Sequence, residues 1–86
     1  MELIFPELEV GQYVVLMAES STGIVLTVER KRSISSTDEI FKVCKSLFDT
    51  HIYINEVKKE EPFIEFSIFD WNHKFVDVVA GNDQRE

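Results

Sequence analysis

Along most of this chain the apolar residues fall in short alternating or continuous runs separated by polar turns, and only one stretch shows helical spacing. Tyr13-Val14-Val15-Leu16-Met17-Ala18 is β-branched and apolar almost throughout and predicts a strand over residues 12–19. Ser20-Ser21-Thr22-Gly23 supplies turn chemistry. Ile24, Leu26 and Val28 then alternate with Val25, Thr27 and Glu29, which predicts a second strand over 24–31 and a hairpin with the first.

Helical spacing follows. Ile40, Val43, Cys44, Leu47 and Phe48 recur at i, i+3, i+4, i+7 and i+8, a single apolar stripe. Ser36 is placed to cap it and Glu39 stands three residues on, a capping box. Asp38 and Glu39 at its start, with Lys42 and Lys45 beyond, agree with the helix dipole. The helix is therefore predicted over 36–48, ending at Asp49-Thr50.

Beyond it, His51 to Lys58 reads as a third strand, with Ile52 and Ile54 on one face and Tyr53 and Val57 on the other. Phe63 to Asp70 and Lys74 to Ala80 read as a fourth and a fifth, joined around Trp71-Asn72-His73. An odd-length loop there sets Ile68 opposite Val76 and Phe66 opposite Val78, so that both strands present matched apolar faces. Residues 1–10, with Leu3, Ile4, Phe5 and Leu8, form an edge strand or an apolar arm, since Pro6 excludes a central strand. Residues 81–86 are polar and read as a flexible tail.

The expected architecture is one α+β domain of two layers. A mostly antiparallel sheet of four to five strands carries one helix on one face, in the order ββαβββ. Val14, Leu16 and Ala18, with Ile64, Phe66 and Ile68, are expected under the helix.

The strands are apolar on both faces, and one helix covers one face. The second face is expected to carry Tyr13, Tyr53, Phe69, Trp71 and Phe75, with Glu19, Glu29, Glu65, Asp70 and Asp77 among or beside them. Aromatic residues dominate the energetics of protein interfaces, and carboxylates favour a basic partner, so these ten residues are the candidate partner-binding set. The competing covers are the N-terminal arm, closure of the sheet toward a barrel, and a second copy of the chain.

Charge sharpens this picture. The 86 residues carry 16 acidic and 9 basic side chains, a net charge of -7, which argues against direct binding to nucleic acid or anionic membrane. Charge of this size also serves solubility. With one cysteine, Cys44, no intrachain disulfide forms, as suits a reducing compartment. The segment Met1–Glu7 lacks a basic n-region and no stretch reaches the roughly 20 apolar residues of a membrane span. The expected location is the cytoplasm of the producing or host cell.

Candidate chemistry is sparse. Cys44 falls in the middle of an apolar stripe, where a small core residue is the ordinary role. His51 and His73 lack zinc-type spacing to any cysteine, and Asp70, Asn72 and His73 alone make a poor metal set. Glu65 and Asp77 on adjacent strands are the one candidate acid/base pair. No glycine-rich phosphate loop is present. Arg30-Lys31-Arg32 reads as a solvated strand end that discourages edge pairing.

The expectation is a non-enzymatic protein-binding module without cofactor or metal. Its sharpest form is an inhibitor or immunity-type antagonist whose carboxylates stand where nucleic-acid phosphates would, as in phage-encoded inhibitors of bacterial defence nucleases. That comparison is one of size and charge only. The alternatives are a homodimeric accessory subunit and, more weakly, a small enzyme using His73 or the carboxylates.

Overall fold

The computed structural model describes residues 5–35 and 37–81. In chain order the elements are β1 (Tyr13–Glu19), β2 (Val25–Leu26), β3 (Phe41–Cys44), α1 (Leu47–Glu60), β4 (Ile64–Phe69) and β5 (Phe75–Val79). All strand pairings are antiparallel. The sheet runs β2-β1-β4-β5. Since β4 takes one edge of β1, the short β2 (opposite Met17 and Ala18) and β3 (opposite Tyr13 to Leu16) share the other. This is the α+β class expected, one helix on an antiparallel sheet.

The helix lies further along the chain than the apolar stripe suggested. Ser46, not Ser36, caps it: the Ser46 hydroxyl accepts the Asp49 N–H at 3.1 Å, and the Thr50 hydroxyl donates to the Ser46 carbonyl at 2.7 Å. Ser36 itself lies outside the described residues. Asp49 occupies the first turn and Lys58 and Lys59 the last, matching the dipole. Thr50, Ile54 and Val57 form the buried stripe at i, i+4 and i+7. The segment read as the third strand, His51–Lys58, is thus the body of α1, and part of the segment read as helix is β3.

The main core lies between α1 and the sheet. It joins Val15, Met17, Leu26, Cys44, Ile54, Val57, Ile64, Phe66 and Ile68. The expected inward face of β4 is correct, but β1 is turned over. Val15 pairs with Ile68 and Met17 with Phe66, so the odd-numbered residues of β1 face the helix, and Val14, Leu16 and Ala18 face away.

Away from the helix lies a smaller apolar layer. Val14, fully buried, and Phe41, nearly so, stand apart from the main core. The Phe5 ring sits over this layer, 4.7 Å from Phe41 and 5.0 Å from Phe69 between centroids. It stacks on His73 at 4.8 Å, and His73 Nε2 lies 3.1 Å from the Pro6 carbonyl. Leu3 and Ile4, also expected in a covering arm, are outside the described residues.

The β4–β5 connection is the odd loop Trp71-Asn72-His73. Asp70 donates its N–H to the Lys74 carbonyl (2.9 Å), and His73 adopts φ +64 to close the turn. A bulge then intervenes between Ile68 and Phe69. Phe69 pairs with Phe75, yet Ile68 pairs with Asp77 and Phe66 with Val79, one step beyond the expected pairing. The extra residue is Val76.

Candidate protein-binding surface

The bulge decides what β5 presents. Without it, Val76 and Val78 would follow Ile68 and Phe66 on the helix side of the sheet. With it, Asp77 and Val79 take those places, and Val78 joins Ser67 on the face away from the helix. Phe75 (58% exposed), Val76 (41%) and Val78 (41%) are left in contact with solvent. Among the described residues β5 pairs with β4 alone, so it forms an edge of the sheet. On the far face Phe75, Phe69, Val14 and Val43 cross the sheet as one row. This row continues the exposed strand into the layer beneath Phe5, and Phe69 meets Phe75 edge to face at 6.0 Å.

The ten candidate residues do not form one patch. Glu65, Phe69 and Phe75 lie on the far face, and Asp77 projects from the same β4–β5 hairpin on the opposite side. Glu65 and Asp77 therefore sit on opposite faces of the sheet and do not make the acid/base pair that their strands suggested. Tyr13 is on the helix side, edge to face with Trp71 at 5.7 Å, and packs against the main core. Tyr53 is on α1, not on a strand. Its hydroxyl donates to Met17 Sδ at 3.8 Å, the Lys42 ammonium lies 5.3 Å from its ring centre, and burial pushes its phenol pKa up. Glu29 is exposed in the turn after β2, away from the hairpin.

Two of the carboxylates are occupied inside the fold. Glu19 is buried, accepts from the Arg32 guanidinium at 2.9 and 3.1 Å, and accepts the Thr22 hydroxyl at 2.8 Å. Asp70 accepts the N–H groups of Asn72 (2.8 Å) and Lys74 (3.0 Å) and so builds the hairpin turn. The basic run is likewise engaged, not merely solvated. Arg30 pairs with Glu61 and, at 3.1 Å, with Glu60 at the end of α1, while Arg32 holds Glu19. Both arginines tie the loop after β2 to other elements. Acidic groups that remain exposed include Glu7, Glu9, Glu29, Glu56 and Asp77.

A shallow concavity of about 380 Å³ lies between the β2–β3 connection, β3 and the middle of α1, lined by Val28, Arg30, Glu39, Phe41, Lys42, Val43 and Tyr53. Its cations are already committed, Arg30 to Glu60 and Glu61 and Lys42 to the face of Tyr53. Among the described residues no three His, Cys, Asp or Glu side chains converge as a metal site would require. No helix among them is long and apolar enough to cross a membrane.

Val76 and Val78 are the surface residues that sequence reasoning missed. Their alternation about Asp77 imitates a core-facing pair, and no glycine or other local signal marks the bulge. Compared with family models, with curated proteins and with solved structures, the chain matches none of them.

Proposed function

We propose that this chain is a small, acidic, non-catalytic protein-binding module of the inhibitor or immunity type, which engages a basic-surfaced protein through the β4–β5 hairpin. The observation that carries this reading is β5 itself. It is an apolar edge strand whose Phe75, Val76 and Val78 are exposed around the carboxylate of Asp77. Isolated exposed apolar residues are ordinary, but an apolar strand left open at a sheet edge is a liability unless something pairs with it. The net charge of -7 favours a cationic partner and speeds encounter with it. Supporting carboxylates are Glu65 on the adjacent strand and the exposed Glu7, Glu9, Glu29 and Glu56.

The test is capture of partners from the native host by the tagged chain, with two variants as comparison. Val78→Lys changes the proposed surface, and Val10→Lys changes an equally apolar residue that is 82% exposed elsewhere. Loss of one captured protein with Val78→Lys but not with Val10→Lys supports the reading. Equal capture by both variants, or none by the unaltered chain, refutes it.

A further inference from the structure

The open side of β5 has one of its donors covered from within. In an antiparallel ladder, alternate residues turn their N–H and C=O groups to the same neighbour, so an edge strand leaves every second residue without a ladder partner. Val78 donates its N–H to Oδ1 of Asp77 at 2.8 Å. The bond is local and Asp77 is exposed, so this carboxylate stands at the open edge as a removable acceptor. A charged group held there discourages pairing with an unselected strand.

We propose that β5 receives an extended, basic segment of a partner protein by strand addition. In this pairing a main-chain carbonyl of the partner replaces the Asp77 carboxylate at the Val78 N–H, and a lysine or arginine of the same segment takes the released carboxylate. This rests on the protein-binding reading above and specifies the partner's conformation and charge. The unpaired edge selects an extended main chain. The exposed side chains of Phe75, Val76 and Val78 offer apolar contacts to alternate residues of the incoming strand. Asp77 and the net charge of -7 select a cation between them. A second copy fits poorly, because twofold pairing about the middle of β5 sets the two Asp77 carboxylates side by side, and each copy brings the same net charge.

The probe is an end-blocked eight-residue peptide of alternating lysine and valine, titrated into the full chain and followed by amide hydrogen exchange. The control peptide alternates lysine with proline, keeping the charge but losing the pleated main chain. Expected is slowing of exchange at Phe75 and Val78, the residues whose N–H groups face the open edge on either side of the bulge, by at least about tenfold with the first peptide and none with the second. Asp77→Ala is expected to weaken binding of the lysine peptide about two- to fivefold, the range of an exposed ion pair, and to strengthen binding of an uncharged threonine–valine peptide. Equal effects from the two lysine peptides, protection confined to β3, no protection, or indifference to Asp77→Ala would each overturn strand addition. So would a concentration-dependent dimer with these amides already protected. Partner capture that depends on Val78 without protection of the β5 amides would leave the binding-module reading standing and remove only this one.

Discussion

Removing the Phe5 ring tests whether the segment before β1 is part of the folded core. The ring lies 4.7 Å from Phe41, 5.0 Å from Phe69 and 4.8 Å from His73, and it covers the layer that contains the fully buried Val14. Truncating a wholly buried Phe to Ala destabilises by about 3–5 kcal/mol. Phe5 is half-buried, which brings the expectation for Phe5→Ala to about 2 kcal/mol, aromatic pairing included. For a domain of this size that lowers Tm by about 8–16 °C. The assay is thermal unfolding followed by circular dichroism, with Phe48→Ala as comparison. Phe48 is 74% exposed on α1, so its truncation is expected to shift stability by less than about 0.5 kcal/mol. The Phe5 variant should also bind an apolar dye, because Val14, Phe41 and Phe69 lose their cover. If the two variants unfold at the same temperature, the covering role of Phe5 is wrong.

Other substitutions probe separate parts of the structure. Ser46→Ala removes the cap of α1 and is expected to lower stability by about 1 kcal/mol, read as a lower urea midpoint with unchanged slope. The Ile34 and Ser35 N–H groups hold the Asp38 carboxyl below its ordinary pKa. Its folded value is thus below its unfolded one, and its contribution is complete above the ordinary aspartate range and is lost as pH falls through the folded value. Stability measured against pH should show the deficit of Asp38→Ala shrinking on acidification, and a constant deficit would contradict those bonds. Burial, the largest effect on Cys44, raises its thiol pKa, so a thiol reagent at neutral pH should label it slowly in the native chain and rapidly in denaturant.

How far the sequence could be read depended on how many patterns each segment satisfied. In β4 the alternation of Ile64, Phe66 and Ile68 allowed one answer, and those residues are fully buried beneath the helix. The stretch 40–48 satisfied two. Ile40, Val43, Cys44, Leu47 and Phe48 fit a helical stripe, but Phe41 and Val43 also fit the outer face of a strand, and pairing with β1 chose the strand. Conversely, Tyr53, Ile54 and Val57 are residues that favour strands, and tertiary packing overrode that preference once Ser46 and Asp49 had set the cap. In β1 both faces are apolar, so the register could not be read from β1 alone. Its orientation depends on whether Leu16 or Met17 meets Phe66, a contact that no local pattern contains. The same ambiguity divided the candidate surface, since Tyr13 and Glu19 followed β1 to the helix side. The odd β4–β5 loop was legible from the turn residues, whereas the bulge after it arises from pairing and has no local mark.

The position of β1 between β4 on one edge and β2 with β3 on the other has a kinetic side. A hairpin with β2 needs only the next few residues, but Val14 waits for Phe69 and Glu19 for Ile64 near the other end of the chain. Such distant pairing must be reached against loop-closure entropy before it is rewarded, so folding is expected to be slower than in helical domains of the same length. During synthesis the apolar segment Tyr13–Glu19 emerges with one edge open until β4 has left the ribosome, and over that interval the open edge is exposed to aggregation.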